Sequence, residues 1–248
     1  MVDAHLKRLL QGLRPDAGLV VLTGAGISRE SGLHTFRDAD GIWAQVRLEE
    51  VATPQAFARD PARVQGFYNA RRRAVLDPSV GPNAAHDALV RLENGWRGPF
   101  LLVTQNVDDL HDRAGSSRLL PMHGALLKIR CTACDRITRF TGDLETGATC
   151  PDCGAGGSLR PHIVWFGEMP LFMEEIGEAL ADAGLFIAIG TSGTVYPAAG
   201  FAAEARAHGA ITLEINMEET GGRFDGGLYG PATHTVPALV DFLLKEVR

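Results

Sequence analysis

The sequence predicts an α/β protein: a doubly wound, parallel, Rossmann-like sheet that carries a small zinc-ribbon module and a helical insertion. Three observations predict it. Four short, continuous apolar runs each end in glycine, hydroxyl or amide residues, as in strands buried on both faces. Helical patterns fall between those runs, and strand-helix alternation is the signature of a parallel sheet. Between Leu126 and Arg160 the long apolar runs give way to cysteine, glycine and threonine, which marks a separate module.

The four strand candidates are GLVVLTGAG (Gly18 to Gly26), PFLLVTQN (Pro99 to Asn106), GLFIAIGTSG (Gly184 to Gly193) and AITLEIN (Ala210 to Asn216). Helices are expected around Ala62 to Leu76, Asn83 to Glu93, Leu171 to Ala183 and Ala198 to Ala207, with a last helix from about Val236 to Val247. In such sheets ligands bind beyond the carboxyl ends of the strands. TGAG, TQN, GTS and EIN are therefore expected to line one crevice.

The chain has 248 residues and a net charge of -6, with a pI near 5.7. That is long enough for one large domain with an insertion or satellite. The acidic balance argues against nucleic acid as a direct partner. No apolar run approaches the ~20 residues that span a membrane, and the amino terminus is too polar for a signal-peptide core. A cytoplasmic location is expected, and the sequence does not give the oligomeric state.

All four cysteines fall in the satellite, as CTAC (Cys131, Cys134) and CPDC (Cys150, Cys153), with fifteen residues between the pairs. Two such knuckles can present four thiolates tetrahedrally to one zinc ion. A cytosolic chain disfavours the competing disulfide reading. Four thiolates leave no open position for water, so a structural role is expected for the metal.

The turn after the first strand reads TGAGISRESGLHTFRDADGIW, Thr23 to Trp43. Gly24 and Gly26, flanking Ala25, would let backbone approach a diphosphate, and a helix beginning near Ile27 would aim its amides at the charge. The dehydrogenase fingerprint would require glycine at position 29, which is Arg29. The long polar loop that follows, with His34, Phe36, Arg37 and Asp38, is also unlike a compact hydride-transfer site.

The run FYNARRR, Phe67 to Arg73, poses a separate question. On a helical wheel at about 100 degrees per residue, Val64, Phe67, Tyr68 and Val75 form one apolar face. Arg71 falls in its middle, Arg72 at its margin and Arg73 on the opposite side. A charge on such a face must snorkel, pair internally or meet an anion in a cleft. Asp60 and Glu49 are the nearby internal candidates. Tyr68, one helical turn from Arg71, could donate its hydroxyl to the same anion.

In order along nearly the whole chain, GAGIS, TFR (Thr35 to Arg37), TQNVD (Thr104 to Asp108), MHG (Met122 to Gly124), the two cysteine pairs, WFGE (Trp165 to Glu168), GTS and EIN resemble the sirtuin family of NAD-dependent protein deacylases. The small departures are Val107, where isoleucine is common, and Asp38 directly after TFR. The resemblance implies NAD as co-substrate, embraced by the segment from Gly24, Ala25 and Gly26 to Trp43, with Phe36 and Arg37 near the nicotinamide ribose. It places Gln105, Asn106 and Asp108 around the nicotinamide and inner ribose, and Gly190, Thr191 and Ser192 on the phosphates and ribose. Asn216, Met217, Glu218 and Ala232 fall at the adenosine end. His123 is implied as general base on a ribose hydroxyl, and the acyl-lysine carbonyl oxygen as the group that displaces nicotinamide to give O-acyl-ADP-ribose. The acylated protein or peptide would lie as an added strand between Val164, Phe166, Gly167 and Glu168 on one side and the loop containing Val195 on the other. The pair Tyr68 and Arg71 resembles that of the subgroup that removes succinyl, malonyl and glutaryl groups, whose terminal carboxylate suits a guanidinium.

The implied organisation is an NAD-binding domain of residues 1–45, 81–125 and 161–248, a helical insertion with the acyl pocket at 46–80, and a zinc module at 126–160. Two other classes, an NAD-dependent dehydrogenase and a zinc-ribbon binding protein without turnover, leave the long loop or the crevice residues unexplained. ADP-ribosyl transfer to protein is the alternative within NAD-consuming chemistry.

Overall fold

A computed structural model describes residues 2–33 and 47–247. Helix α1 (Ala4–Leu10) is capped by Asp3 and leads into β1 (Gly18–Thr23). Helix α2 (Pro54–Arg59) and the longer α3 (Pro61–Val75) form the insertion. Helix α4 (Ala84–Gly95), β2 (Phe100–Thr104), the short α5 (Leu110–Ala114) and β3 (Leu119–Pro121) return to the main sheet. The zinc module uses β4 (Gly124–Cys131), β5 (Ile137–Arg139) and β6 (Leu159–Ile163). Then follow α6 (Met173–Ala181), β7 (Ala183–Ile189), α7 (Phe201–Ala207), β8 (Ile211–Asn216), β9 (Gly226–Tyr229) and α8 (Ala232–Glu246).

The main sheet runs β3-β2-β1-β7-β8-β9, with every pairing parallel. The chain winds outward from β1 to β3 and then resumes at β7 on β1's other side, so the switch point lies between β1 and β7. Strand β1 shows why its apolar run is continuous. Leu19 and Val21 enter a core with α1, α4 and α8, while Val20 and Leu22 enter a second core with α6 and α7. Alternate side chains point to opposite faces, and both faces are covered.

Helix α3 lies against two neighbours at once. Val64, Phe67, Tyr68 and Val75 pack with Leu126, Ile163 and Trp165. The adjacent flank carries Gln65, Asn69 and Arg72 at helical spacing, all buried, and faces the zinc module. Asn69 donates to the Leu144 carbonyl and accepts from its amide, and Gln65 donates to the Leu159 carbonyl. Arg72, 0% exposed, donates to Leu126 O, Asn69 Oδ1 and Gly142 O.

Three expectations need correction. No α-helix starts near Ile27; the chain makes two 3-10 turns, Ala25–Ile27 and Arg29–Ser31, that stop at Gly32 in the left-handed region. The last helix begins at Ala232, about one turn before the expected Val236, and carries Pro237 in its second turn. Arg72, placed at the margin of the apolar face, is the most buried of the three arginines, since a wheel of apolar residues cannot register the polar flank under the zinc module. Residues 164–168 leave β6 and turn at Phe166 and Gly167. Among the described residues no helix is long and apolar enough to cross a membrane.

Candidate active site

The crevice opens where β1 and β7 diverge. A Cβ on Gly26 would stand 2.6 Å from the Gly190 Cα, and one on Gly24 would stand 2.8 Å from the Gly190 carbonyl oxygen. Gly190 itself has φ +61°, which L side chains rarely adopt. The glycines therefore let two backbone turns pack on one another, a reason distinct from the expected approach to a diphosphate. Gly24, Ala25 and Gly26 thereby lie beside Gly190, Thr191 and Ser192, and Asn216 joins them by donating to the Thr191 carbonyl at 2.7 Å. Met217 and Glu218 follow on the exposed rim. Ala232 starts α8, whose first turn is tied back by Thr233 donating to Glu30. Phe36, Arg37 and Trp43 lie outside the described residues, as do His34 and Asp38.

A chain of hydrogen bonds fixes the end of β2. Asn106 donates its side-chain amide to Gly24 O and to Ser28 Oγ. Ser28 in turn donates to Asp108 Oδ2 at 3.1 Å. The Asn106 amide is held on Thr104 Oγ1, which also accepts from Thr23 Oγ1. Behind them Thr23 meets His111 Nε2 at 3.0 Å, and the His111 ring packs at a tilt against His86 with ring centroids 4.8 Å apart. Burial drives both imidazoles far down, His86 to about 4 and His111 to about 3, so this layer is neutral. Burial also raises the Asp108 carboxyl, opposed by the Leu110 amide and the Ser28 hydroxyl. Ser28 was implied only as the last residue of GAGIS, and His86 and His111 were not anticipated; the Asn83 and His86 capping pair in N-A-A-H was the local signal for His86.

His123 sits at the exit of β3, where the chain leaves for the zinc module. Its Nδ1 is 3.1 Å from the Gln105 carbonyl oxygen. A carbonyl only accepts, so Nδ1 carries the proton and Nε2 keeps a lone pair. Burial lowers its pKa below the ordinary histidine value, against the opposing pull of the Gln105 bond. A neutral imidazole with one free nitrogen is the form that accepts a proton.

On the other wall, Tyr68 is 1% exposed and its hydroxyl accepts from Trp165 Nε1 at 2.9 Å. Burial pushes its phenol up to about 12. Arg71, half-buried one turn on, lies 5.8 Å above the Phe67 ring. Burial lowers it to about 10, with Tyr68 and Asp108 acting in the other direction, so it stays charged at neutral pH. Asp60, a candidate ion partner for Arg71, instead caps α3 at Arg63 N, roughly 16 Å away along the helix axis. Arg73 is exposed and pairs with Asp143 at 2.5 Å.

The segment after β6 divides its residues. Val164 donates to the His123 carbonyl and Phe166 to that of Ala52. Phe166 is half-exposed, as are Val195 and Gly167 to different degrees. Trp165 is buried, with Arg160 stacked 3.3 Å from its ring centroid. Glu168, expected to face substrate, commits its carboxylate internally: it accepts from Arg160 at 2.6 and 2.9 Å and from the Trp165 amide at 2.8 Å.

In the zinc module all four cysteines are free thiols, and their Sγ atoms lie within 4.8 Å of one another. Two of the separations are 3.7 Å (Cys131 to Cys153) and 3.9 Å (Cys134 to Cys150). A tetrahedron with Zn–S bonds of ~2.3 Å has edges of about 3.8 Å. The Ala133 amide and the Ser158 hydroxyl approach Cys131 Sγ, which favours its thiolate. The cluster suits one structural zinc ion with no position left for chemistry.

Fold and site together define an α/β enzyme with a nucleotide crevice at its switch point and a zinc ribbon beside it. The Sir2 family model matches residues 24–197, and the chain belongs to the Sir2 family. It is 54% identical over 232 residues to an NAD-dependent protein deacylase of Escherichia coli K12, covering 93% of this chain and 83% of that one. Its structure resembles the crystal structure of a Sir2 homologue in complex with NAD, with a TM-score of 0.86 and 37% identity, covering 98% and 94% of the two chains. A Sir2 protein bound to deacetylated p53 peptide and 3′-O-acetyl ADP-ribose is 28% identical, with a TM-score of 0.77 and 96% of each chain covered.

Proposed function

We propose that this protein is an NAD-dependent protein-lysine deacylase of the cytoplasm, with a pocket suited to acyl chains that end in a carboxylate. The deacylase reading is supported above all by His123, a neutral imidazole whose Nδ1 is occupied by the Gln105 carbonyl beside Asn106 and Asp108. NAD, when bound, supplies an anomeric carbon whose nicotinamide can be displaced by the acyl oxygen. His123 Nε2 takes the proton from a ribose hydroxyl, which makes that oxygen a better nucleophile toward the transferring acyl carbon. Asn106 and Asp108, pinned by Ser28 and Gly24, hold the ribose side of the crevice in place. With one water consumed, the products are free lysine, nicotinamide and O-acyl-ADP-ribose.

The acidic-acyl preference is supported by Tyr68 and Arg71 on the same side of α3, one able to donate a phenolic proton and the other a charged fork. A charged hydrogen bond is worth roughly 1.5 to 3 kcal/mol, about tenfold to a hundredfold in selectivity. Acetyl-lysine, lacking the carboxylate, would enter the same pocket without a clash. ADP-ribosyl transfer to protein is not favoured.

The test is a rate comparison on acetyl- and succinyl-lysine peptides of identical sequence with NAD, with products identified by mass spectrometry. Peptide-dependent nicotinamide release with O-succinyl-ADP-ribose formed at the higher kcat/KM is expected. Absence of peptide-dependent nicotinamide release overturns the deacylase reading, and a higher kcat/KM for acetyl overturns the acyl preference.

A further inference from the structure

Tyr68 is useful to an anion only if its hydroxyl proton faces the pocket, and a phenol can equally turn its lone pairs there. The neighbouring atoms decide the matter. Indole nitrogen donates and never accepts, so the 2.9 Å contact between Trp165 Nε1 and the Tyr68 oxygen has one polarity: Trp165 gives the proton and Tyr68 receives it. The phenolic proton must then point elsewhere. Trp165 cannot rotate to escape this role, because it is 2% exposed, stacks with Phe57 at 5.3 Å and carries Arg160 on its face. Arg160 is clamped in turn by both oxygens of Glu168, which also takes the Trp165 amide.

We propose that Trp165, held by the Arg160 and Glu168 pair, is a positioning residue for acyl selectivity: it fixes Tyr68 as a hydrogen-bond donor to the terminal carboxylate of the acyl chain. This rests on the acidic-acyl reading above and deepens it. The cationic Arg160 on the indole face also polarises the Nε1–H, and a hydrogen bond received by a phenol makes its own proton a stronger donor. The high pKa of Tyr68, set by burial, keeps that proton in place across the working range. Acetyl-lysine has no distal oxygen for Tyr68 to meet, so its turnover should not register the indole N–H.

Kinetics on matched succinyl- and acetyl-lysine peptides test this with five forms of the enzyme: Trp165→Phe, Tyr68→Phe, the double variant, Arg71→Met, and one with benzothiophene in place of the Trp165 indole. Trp165→Phe should raise KM for the succinyl peptide about three- to tenfold, the size of one neutral hydrogen bond. Its acetyl KM and both kcat values should stay within about twofold. In the Tyr68→Phe background the same change should have no further effect. Replacing the Trp165 indole by benzothiophene removes only the N–H and keeps the ring, so it should reproduce the succinyl loss without loss of thermal stability even where phenylalanine perturbs packing. Equal losses on both peptides with the benzothiophene enzyme, or an undiminished succinyl effect without the Tyr68 hydroxyl, overturn the proposal. If Arg71→Met leaves the succinyl-to-acetyl ratio unchanged, the acidic-acyl reading itself fails and takes this inference with it. If Arg71→Met shifts the ratio and neither Trp165 replacement does, the positioning role alone is wrong.

Discussion

The amide of Gly26 donates to the carbonyl of Gly190 at 2.9 Å, so the turns after β1 and β7 are joined main chain to main chain at the floor of the crevice. Gly26→Ala would set a Cβ against the Gly190 Cα, and neither partner is a side chain that can rotate away. Overpacking of this kind costs about 1 to 3 kcal/mol or more. A lower Tm together with a raised KM for NAD is expected, and wild-type values for both would show that the contact is dispensable.

His123→Ala is expected to abolish steady-state formation of free lysine and O-acyl-ADP-ribose while the circular dichroism spectrum and Tm stay close to wild type. The imidazole is half-buried and belongs to none of the apolar core clusters, so its loss removes no core contact. Burial lowers its pKa, so the protonated, inactive form should dominate only below the ordinary histidine value of ~6.5. The acid limb of the kcat/KM profile should therefore bend below pH ~6.5; an inflection above that value contradicts the assignment.

Arg71→Met should lower kcat/KM for succinyl-lysine by about tenfold to a hundredfold and leave acetyl-lysine turnover nearly unchanged. The thioether keeps the apolar stem of the side chain and removes only the charge and its donors. Steady-state kinetics on matched peptides read the difference, and equal losses would assign Arg71 a structural role.

His86 and His111 make folding stability depend on pH in a stated direction. Both are buried, and their native pKa values of about 4 and about 3 lie below the unfolded value of ~6.5. Between pH ~6.5 and about 4 the unfolded chain binds protons that the native protein refuses, so stability is full above that window and falls as pH drops through it. Each group contributes at most on the order of 1.4 kcal/mol per pH unit. Urea unfolding at pH 7 and pH 5 should show a clear loss, which His86→Gln should reduce.

Cys150→Ser, or prolonged chelation, should loosen the zinc module and with it the polar flank of α3. Loss of ellipticity or aggregation is expected on metal removal, along with faster amide exchange in residues 61–75. Protected α3 amides in metal-free protein would separate the helix from the module.

Much of this molecule could be read from the sequence because its signals were local. The four apolar runs became β1, β2, β7 and β8 with small shifts at their ends, since buried parallel strands are written as continuous hydrophobic stretches. The cysteine pairs gave the cluster through spacing alone. What escaped depended on partners far apart in the chain. The Tyr68 and Trp165 bond spans 97 positions and the Thr23 and His111 contact spans 88. The burial of Arg72 likewise follows from carbonyls at Leu126 and Gly142, which no helical wheel contains. Edge strand β9, carrying two glycines and little apolar content, offered no strand pattern to find.

Helix α3 carries Tyr68 and Arg71 on one flank and rests the next on the zinc module, so the ribbon sets the angle at which those two side chains are presented. The two are therefore not exchangeable parts. Grafting residues 48–76 alone into another Sir2 frame would deliver the tyrosine and the arginine without the carbonyls that index the helix. A transplant of the proposed acyl preference has to carry Gly142, Leu144 and Leu159 along with it, because their carbonyls fix the helix that bears both residues.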